Sequence, residues 1–226
     1  MMLNVFNLIK TMNGRTVIGN LSFTVRKGER VCLFAPSGAG KSTLIRILSG
    51  LDKKFAGRVS VNAERRATVF QEPGLFWYKT VAENIFYPLK LSRIAVDETI
   101  RQQYAEWMAV TKLKGFESYY PCEISGGMKQ KAAIIRAFLL QPDLILMDEP
   151  FKSIDMAAKR EIMAHIRSGY PDITLLLVTH HPDEIPLITD KVLLFREPQL
   201  SDKSEILEIA ADTGLHELAE RLFGGV

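Results

Sequence analysis

The chain has 226 residues, 47% hydrophobic and 24% charged, with 29 Lys and Arg set against 26 Asp and Glu. That length can bury a core without disulfides or structural metal, the composition excludes a disordered or collagen-like chain, and a formal charge of +3 is too small to point to nucleic acid or an anionic membrane as the main partner. The two cysteines, Cys32 and Cys122, share no CxxC spacing, which points away from a zinc site and toward a reducing compartment. The opening MMLNVFNLIK lacks the pattern of a secretory signal, and no run of about 18 apolar residues could span a bilayer, so a membrane role has to come from a partner.

In chain order, Leu3, Val5, Phe6 and Leu8, and then Leu21, Phe23 and Val25, alternate well enough to predict antiparallel strands, with Gly14 and Gly28 marking turns. Residues 30–34 predict a short apolar strand running into the glycine-rich stretch 35–40. Residues 41–49 predict a helix with Leu44, Ile45, Ile47 and Leu48 on one face and Gly50 at its end. Short β-like runs follow at 59–61 and 68–70. From about 72 to 125 the composition favours helices, notably 81–89 and 96–113, and predicts an inserted α-helical subdomain. Apolar runs at 144–147, 174–178 and 192–195, with a helix-like 156–167 among them, predict a parallel sheet covered by helices. In the last stretch, about 200–226, Ile206, Leu207, Ile209, Leu215, Leu218 and Leu222 fall at spacings that predict one or two amphipathic helices closed by Gly224 and Gly225. The roughly 30 residues after Phe195 are too few for a separate regulatory domain.

Three motifs carry chemistry. APSGAGKST, residues 35–43, nearly matches GxxxxGK(S/T): its glycines let backbone N–H groups close round phosphate oxygens at a helix start, Lys41 would reach the β and γ phosphates, and Ser42 would ligate Mg²⁺. The departure is Ala35, whose methyl is tolerable only if φ is negative. In LILMDEP, residues 144–150, an apolar strand ends in a carboxylate, so Asp148 would hold Mg²⁺ through water and Glu149 would polarise an attacking water. In ISGGM, Ser125 suits a helix N-cap, and Gly126 and Gly127 leave the first helical N–H groups bare as a second anion site. The fold expected is therefore α/β: a single domain over 1–226 with a P-loop NTPase core and mainly parallel sheet, an antiparallel β subdomain on the N-terminal side, and the inserted helices.

With Gln71 in VFQEP, Ser153-Ile154-Asp155, and His180 in LLVTHH, these motifs stand in the order and spacing of ATP-binding cassette proteins, and the whole chain resembles one nucleotide-binding subunit of an ABC transporter. FQEPGLFWYKTVAENI and SGGM most resemble ATPases of nitrate, sulfonate or taurine importers. The resemblance implies that Pro36, Ser37, Gly38, Ala39, Gly40, Lys41, Ser42 and Thr43 cradle ATP, and that Ser42, Gln71 and Asp148 serve Mg²⁺. It makes Glu149, His180 and Gln71 catalytic, with His180 on the γ-phosphate. Ser125, Gly126, Gly127 and Asp155 would act across a dimer on the nucleotide of the opposite subunit. The aromatic that stacks on adenine in the family would fall near Met12, where no aromatic lies between Phe6 and Phe23, so Met12 or the stem of Arg15 is expected to cover the base. His181 beside His180 is not expected to share a metal with it, because neighbours at a strand end point to opposite sides. Phe76, Trp77 and Tyr78 suit either subdomain core or a groove for a helix of a membrane subunit.

The implied function is ATP binding and hydrolysis that energises solute transport, import in preference to export, through separate transmembrane permease subunits. A second copy or a related cassette would complete an ATP-sandwich dimer on the cytoplasmic face of the membrane, with a solute-binding protein in the full complex and no nucleic acid. The alternative, a soluble cassette ATPase of DNA repair, chromosome organisation or translation, is disfavoured by a lone cassette without heptads. A regulator that has lost hydrolysis is disfavoured by the presence of Gln71, Asp148, Glu149 and His180.

Overall fold

A computed structural model describes residues 1–210 and 213–224. Strands β1 (Leu3–Met12) and β2 (Arg15–Val25) form an antiparallel hairpin closed by Asn13 and Gly14, both at positive φ, the Asn-Gly pairing that matches strand twist in a two-residue turn. Asn7 and Asn20, also at positive φ, accompany the register shifts of this hairpin. After β3 (Arg30–Phe34) and α1 (Lys41–Leu48), β4 (Ala56–Val61) pairs with the free side of β1. The chain then runs through β5 (Arg66–Val69), α2 (Val81–Leu91), α3 (Glu98–Val110), α4 (Gly126–Phe138), β6 (Leu144–Asp148), α5 (Met156–Gly169), β7 (Thr174–Val178), α6 (Ile185–Ile188) and β8 (Lys191–Phe195).

The six-stranded sheet has the order β10-β8-β3-β7-β6-β5, where β10 is Ser204–Glu208; every pairing is parallel except β10 with β8. Strands β3, β6 and β7 are buried at every residue, which is why they read as unbroken apolar runs. Alternation splits each of them between two cores. Leu144, Leu146 and Leu176 join the hairpin and α1, whereas Ile145, Met147, Leu175 and Leu177 join the inserted helices and α5. A smaller third core places Cys32, Phe34 and Leu194 under α7 (Leu215–Phe223). Trp107 of α3 is fully buried against Phe138 and His165 and donates Nε1–H to the Tyr170 hydroxyl at 2.8 Å. Truncating a buried aromatic of this kind costs about 3–5 kcal/mol, so this ring is a staple between the insertion and the sheet domain.

The main correction falls at 200–226. Residues 204–208 form β10 rather than a helix, Leu200–Ser201 forms a short strand β9 beside β2, and α7 is the one helix described there. Ile206 and Leu207 fit either period, and the unpaired edge of β8 decides by supplying backbone partners from Lys191 to Phe195. Gly224 is the C-cap of α7, and Gly225 lies outside the described residues. Predicted 96–113 shortens at both ends, because Asp97 caps α3 by accepting from Ile100 N and Lys112 takes φ 57. A Thr80–Glu83 capping box fixes the start of α2, which runs on past residue 89 to Leu91. Strands β4 and β5 start earlier than the predicted 59–61 and 68–70. Among the described residues, no helix is long and apolar enough to cross a membrane.

Candidate functional site

The loop after β3 wraps a cleft of about 530 Å³. Ala35 keeps φ below zero and its methyl packs into the hairpin-side core, so the missing first glycine leaves the loop intact. Gly40 does require glycine: it sits at φ 98, and a Cβ there would lie 2.8 Å from the Val17 carbonyl oxygen. It is the N-cap of α1 and offers no side-chain acceptor, and the first turn holds no acid, so the leading N–H groups of α1 are free to bind an anion. Lys41 is buried and donates from Nζ to the Ala35 and Pro36 carbonyls, both at 2.8 Å. Burial lowers its pKa, against the opposing pull of Glu149 and Asp148. Ala39 packs its side chain into the core, and its carbonyl accepts from Leu200 N, tying the loop to β9.

Asp148 ends β6. It is 4% exposed, and its Oδ1 has no hydrogen-bond partner among the described residues. Burial raises its pKa and Glu149 adds to the rise, while Ser42 and Lys41 pull the other way. An orphaned, buried carboxylate oxygen beside a hydroxyl is a hard oxygen site of the kind Mg²⁺ takes, so Asp148 and Ser42 fit the ion. Glu149 stands at φ 44, in the left-handed region that a side chain rarely adopts, held there by its N–H to the Val178 carbonyl at 2.8 Å. The turn aims its carboxylate at His180, whose Nδ1 lies 2.9 Å from Oε1. Because a carboxylate only accepts, Nδ1 carries the hydrogen and Nε2 is the remaining ring nitrogen.

The loop bearing His180 is anchored from below. Glu184, 1% exposed, takes a 2.8 Å ion pair from Lys159 of α5 and a 2.6 Å hydrogen bond from the Thr179 hydroxyl, which itself accepts from His181 N. Removing one partner of such a buried pair costs about 3–5 kcal/mol, so this network holds the imidazole's position. The two histidine rings lie 4.1 Å apart at 36°, not on opposite sides: β7 ends at Val178, so strand alternation no longer governs them. Among the described residues, no group of three or more His, Cys, Asp or Glu could hold a metal ion.

Ser37, Gly38, Gly40, Lys41, Ser42, Thr43, Gln71, Glu149 and His180 all line the one cleft. Ser125, Gly126, Gly127 and Asp155 do not. Ser125 caps α4, accepting from Met128 N, and Asp155 caps α5, accepting from Ala158 N, a bond that lowers the Asp155 pKa. Gly126 has open space around it, whereas a Cβ on Gly127 would lie 2.5 Å from the Ser153 carbonyl oxygen. Gly126 is thus the exposed member, and Gly127 lets α4 meet the 153–155 turn. Helix α4 also grips the glutamine loop: Gln130 Nε2 donates to Phe70 O at 3.0 Å, and Arg136 donates to Pro73 O at 2.7 Å and Gly74 O at 2.9 Å.

Two cleft residues were missed by sequence reasoning, Val17 and Lys152. Neither belongs to a motif; Val17 arrives because the hairpin folds over the loop, while Met12 and Arg15, expected over the base, do not line the cleft. Trp77 and Tyr78 are 79% and 53% exposed and so are not subdomain core. Their turn is held by buried Asn84, which bonds the main chain of Phe76, Lys79 and Thr80.

The sequence profile described as "ABC transporter" matches residues 18–152. The chain is 37% identical over 187 residues to the aliphatic sulfonates import ATP-binding protein SsuB of Bacillus cereus, covering 79% of this chain and 73% of that one. It is 32% identical over 229 residues to the Fe(3+) ions import ATP-binding protein FbpC of Vibrio cholerae, covering 96% of this chain and 63% of that one. Among solved structures, it superposes on the dimeric MJ0796, a bacterial ABC transporter cassette, with a TM-score of 0.79 at 25% identity, covering 92% of this chain and 99% of that one.

Gly126 and Gly127, in the Ser125–Gly127 signature at the start of α4, should separate by experiment. Gly127→Ala is expected to lower stability by about 1–3 kcal/mol through the clash with Ser153, and Gly126→Ala to melt like the parent while nucleotide turnover falls at least tenfold (on the order of the loss of one oxyanion donor); equal melting temperatures for the two would contradict the packing role of Gly127. For Asp148, a raised pKa means the native chain holds its proton longer than the unfolded one, so stability falls as pH rises from the ordinary 3.8 through the raised value. In nucleotide-free, metal-free unfolding, Asp148→Asn should therefore be more stable than the parent at pH 7, an advantage that shrinks toward pH 4; a constant difference across that range would count against the buried charge.

Proposed function

The chain belongs to the ABC transporter family as an ATP-binding, ATP-hydrolysing subunit, and from that premise we propose how its residues divide the work. The loop 35–43 and the start of α1 bind the phosphates of ATP, and Lys41 exchanges the Ala35 and Pro36 carbonyls for phosphate oxygens. Ser42 and Asp148, with Gln71, would hold Mg²⁺, whose charge, when bound, neutralises the phosphates. Glu149 accepts a hydrogen bond from the attacking water and draws its proton as oxygen bonds to the γ-phosphorus and ADP leaves. His180 orients that carboxylate through Nδ1.

A complete site needs a second copy or a related cassette, because Ser125, Gly126 and Gly127 do not face their own cleft. Two-fold pairing supplies the signature of each subunit to the nucleotide of the other. The exposed Trp77–Tyr78 turn is the proposed contact for the transmembrane permease, on the cytoplasmic face of the membrane, with a solute-binding protein in the full complex. Import is the proposed direction. Relatives of similar identity are named for cargoes as unlike as aliphatic sulfonates and Fe(3+), which supports placing solute choice outside this chain.

The observation that carries the reading is the convergence of Asp148 and Glu149 from one strand end on Lys41, Ser42 and His180. Glu149→Gln is expected to cut turnover by about a hundredfold or more while ATP affinity stays within about threefold; a variant that keeps more than a tenth of parental turnover would remove Glu149 from the water-activating role.

A further inference from the structure

Lys152 lies on the turn between β6 and α5, three residues beyond Glu149, and its side chain enters the cleft that also holds Lys41, Ser42, Gln71 and His180. Its Nζ is 3.8 Å from Glu149 Oε2, outside hydrogen-bond reach, and its side chain is 53% exposed. That separates it sharply from Lys41, which is buried and held by two carbonyls. Among the described residues Lys152 makes no side-chain hydrogen bond, so its ammonium is attracted to Glu149 without being fixed by it.

We propose that Lys152 is a second phosphate-facing cation, which leaves Glu149 for the terminal phosphate of bound ATP and so makes the site favour ATP over ADP. The physical need is local. Glu149 faces the cleft with the buried carboxyl of Asp148 next to it in the chain, and a γ-phosphate brought against Glu149 meets a like charge. A flexible four-carbon stem with three rotatable donors can move between the two anions, offsetting that repulsion and freeing the Oε2 side of Glu149 for water in the same motion. ADP has no group at that position and gains nothing from the exchange.

The inference rests on the nucleotide-site reading above and is tested by calorimetric binding of ADP and of the non-hydrolysable β,γ-imido analogue of ATP, each with Mg²⁺. Lys152→Gln is expected to weaken the analogue about three- to tenfold, the size of a partly exposed charge contact, and ADP by less than about twofold, with Lys152→Arg restoring the analogue. Equal weakening of both nucleotides, or no change in either, would overturn the role of Lys152. Failure of the parent chain to bind either nucleotide would instead overturn the site reading itself.

Discussion

The site is organised round a carboxylate that folding alone leaves unsatisfied. Asp148 is carried into the interior on an all-buried strand, with one oxygen unpartnered, and its charged form is disfavoured there. A fully apolar strand end would be more stable, so the chain carries a local cost that a bound cation would offset. The surrounding features follow from this. Ser42 stands beside the Asp148 carboxyl, Lys41 is buried nearby under the opposing pull of burial and two acids, and the α1 start leaves its N–H groups bare. Stability is traded for a cleft whose lining suits the phosphates of ATP.

A second constraint governs how binding becomes movement. Helix α4 carries the signature at its start and grips the glutamine loop along its side, through Gln130 on Phe70 and Arg136 on Pro73 and Gly74. The main chain on both sides of Gln71 is therefore tied to α4, and α4 in turn packs on α2, next to the exposed aromatic turn that Asn84 holds. On the other side, Lys159 of α5 braces the His180 loop through Glu184, so the helix capped by Asp155 is joined to the imidazole. These are short, direct linkages between elements that touch nucleotide, partner cassette and permease in the proposed assembly, and they need no long pathway.

Most of the fold was legible because its central strands β3, β6 and β7 are buried on both faces and its helices carry clear starts. APSGAGKST read correctly as a strand-to-helix loop, and LILMDEP as a strand ending in acids. Where the reading failed, tertiary context had decided. Ile206-Leu207 became a strand because β8 had an open edge, and the adjacent histidines came together because β7 stops one residue before Thr179. Val17 and Lys152 were invisible because neither has a motif: one enters the cleft from a hairpin folded over it, the other from the turn after Glu149. Gly127 was legible as a signature glycine but not as the packing residue it also is, since its neighbour Ser153 is 26 positions away in sequence and in contact only after folding.

In the proposed assembly one chain holds two half-sites, a phosphate cleft and a signature that serves another cleft. The most direct measurement is the molar mass in solution of the Glu149→Gln chain, by light scattering with and without Mg-ATP. A shift from monomer to dimer on adding Mg-ATP, reversed by exchange into ADP, is the predicted result. A chain that binds ATP and remains monomeric would contradict self-pairing through the signature and leave a different cassette as the required partner.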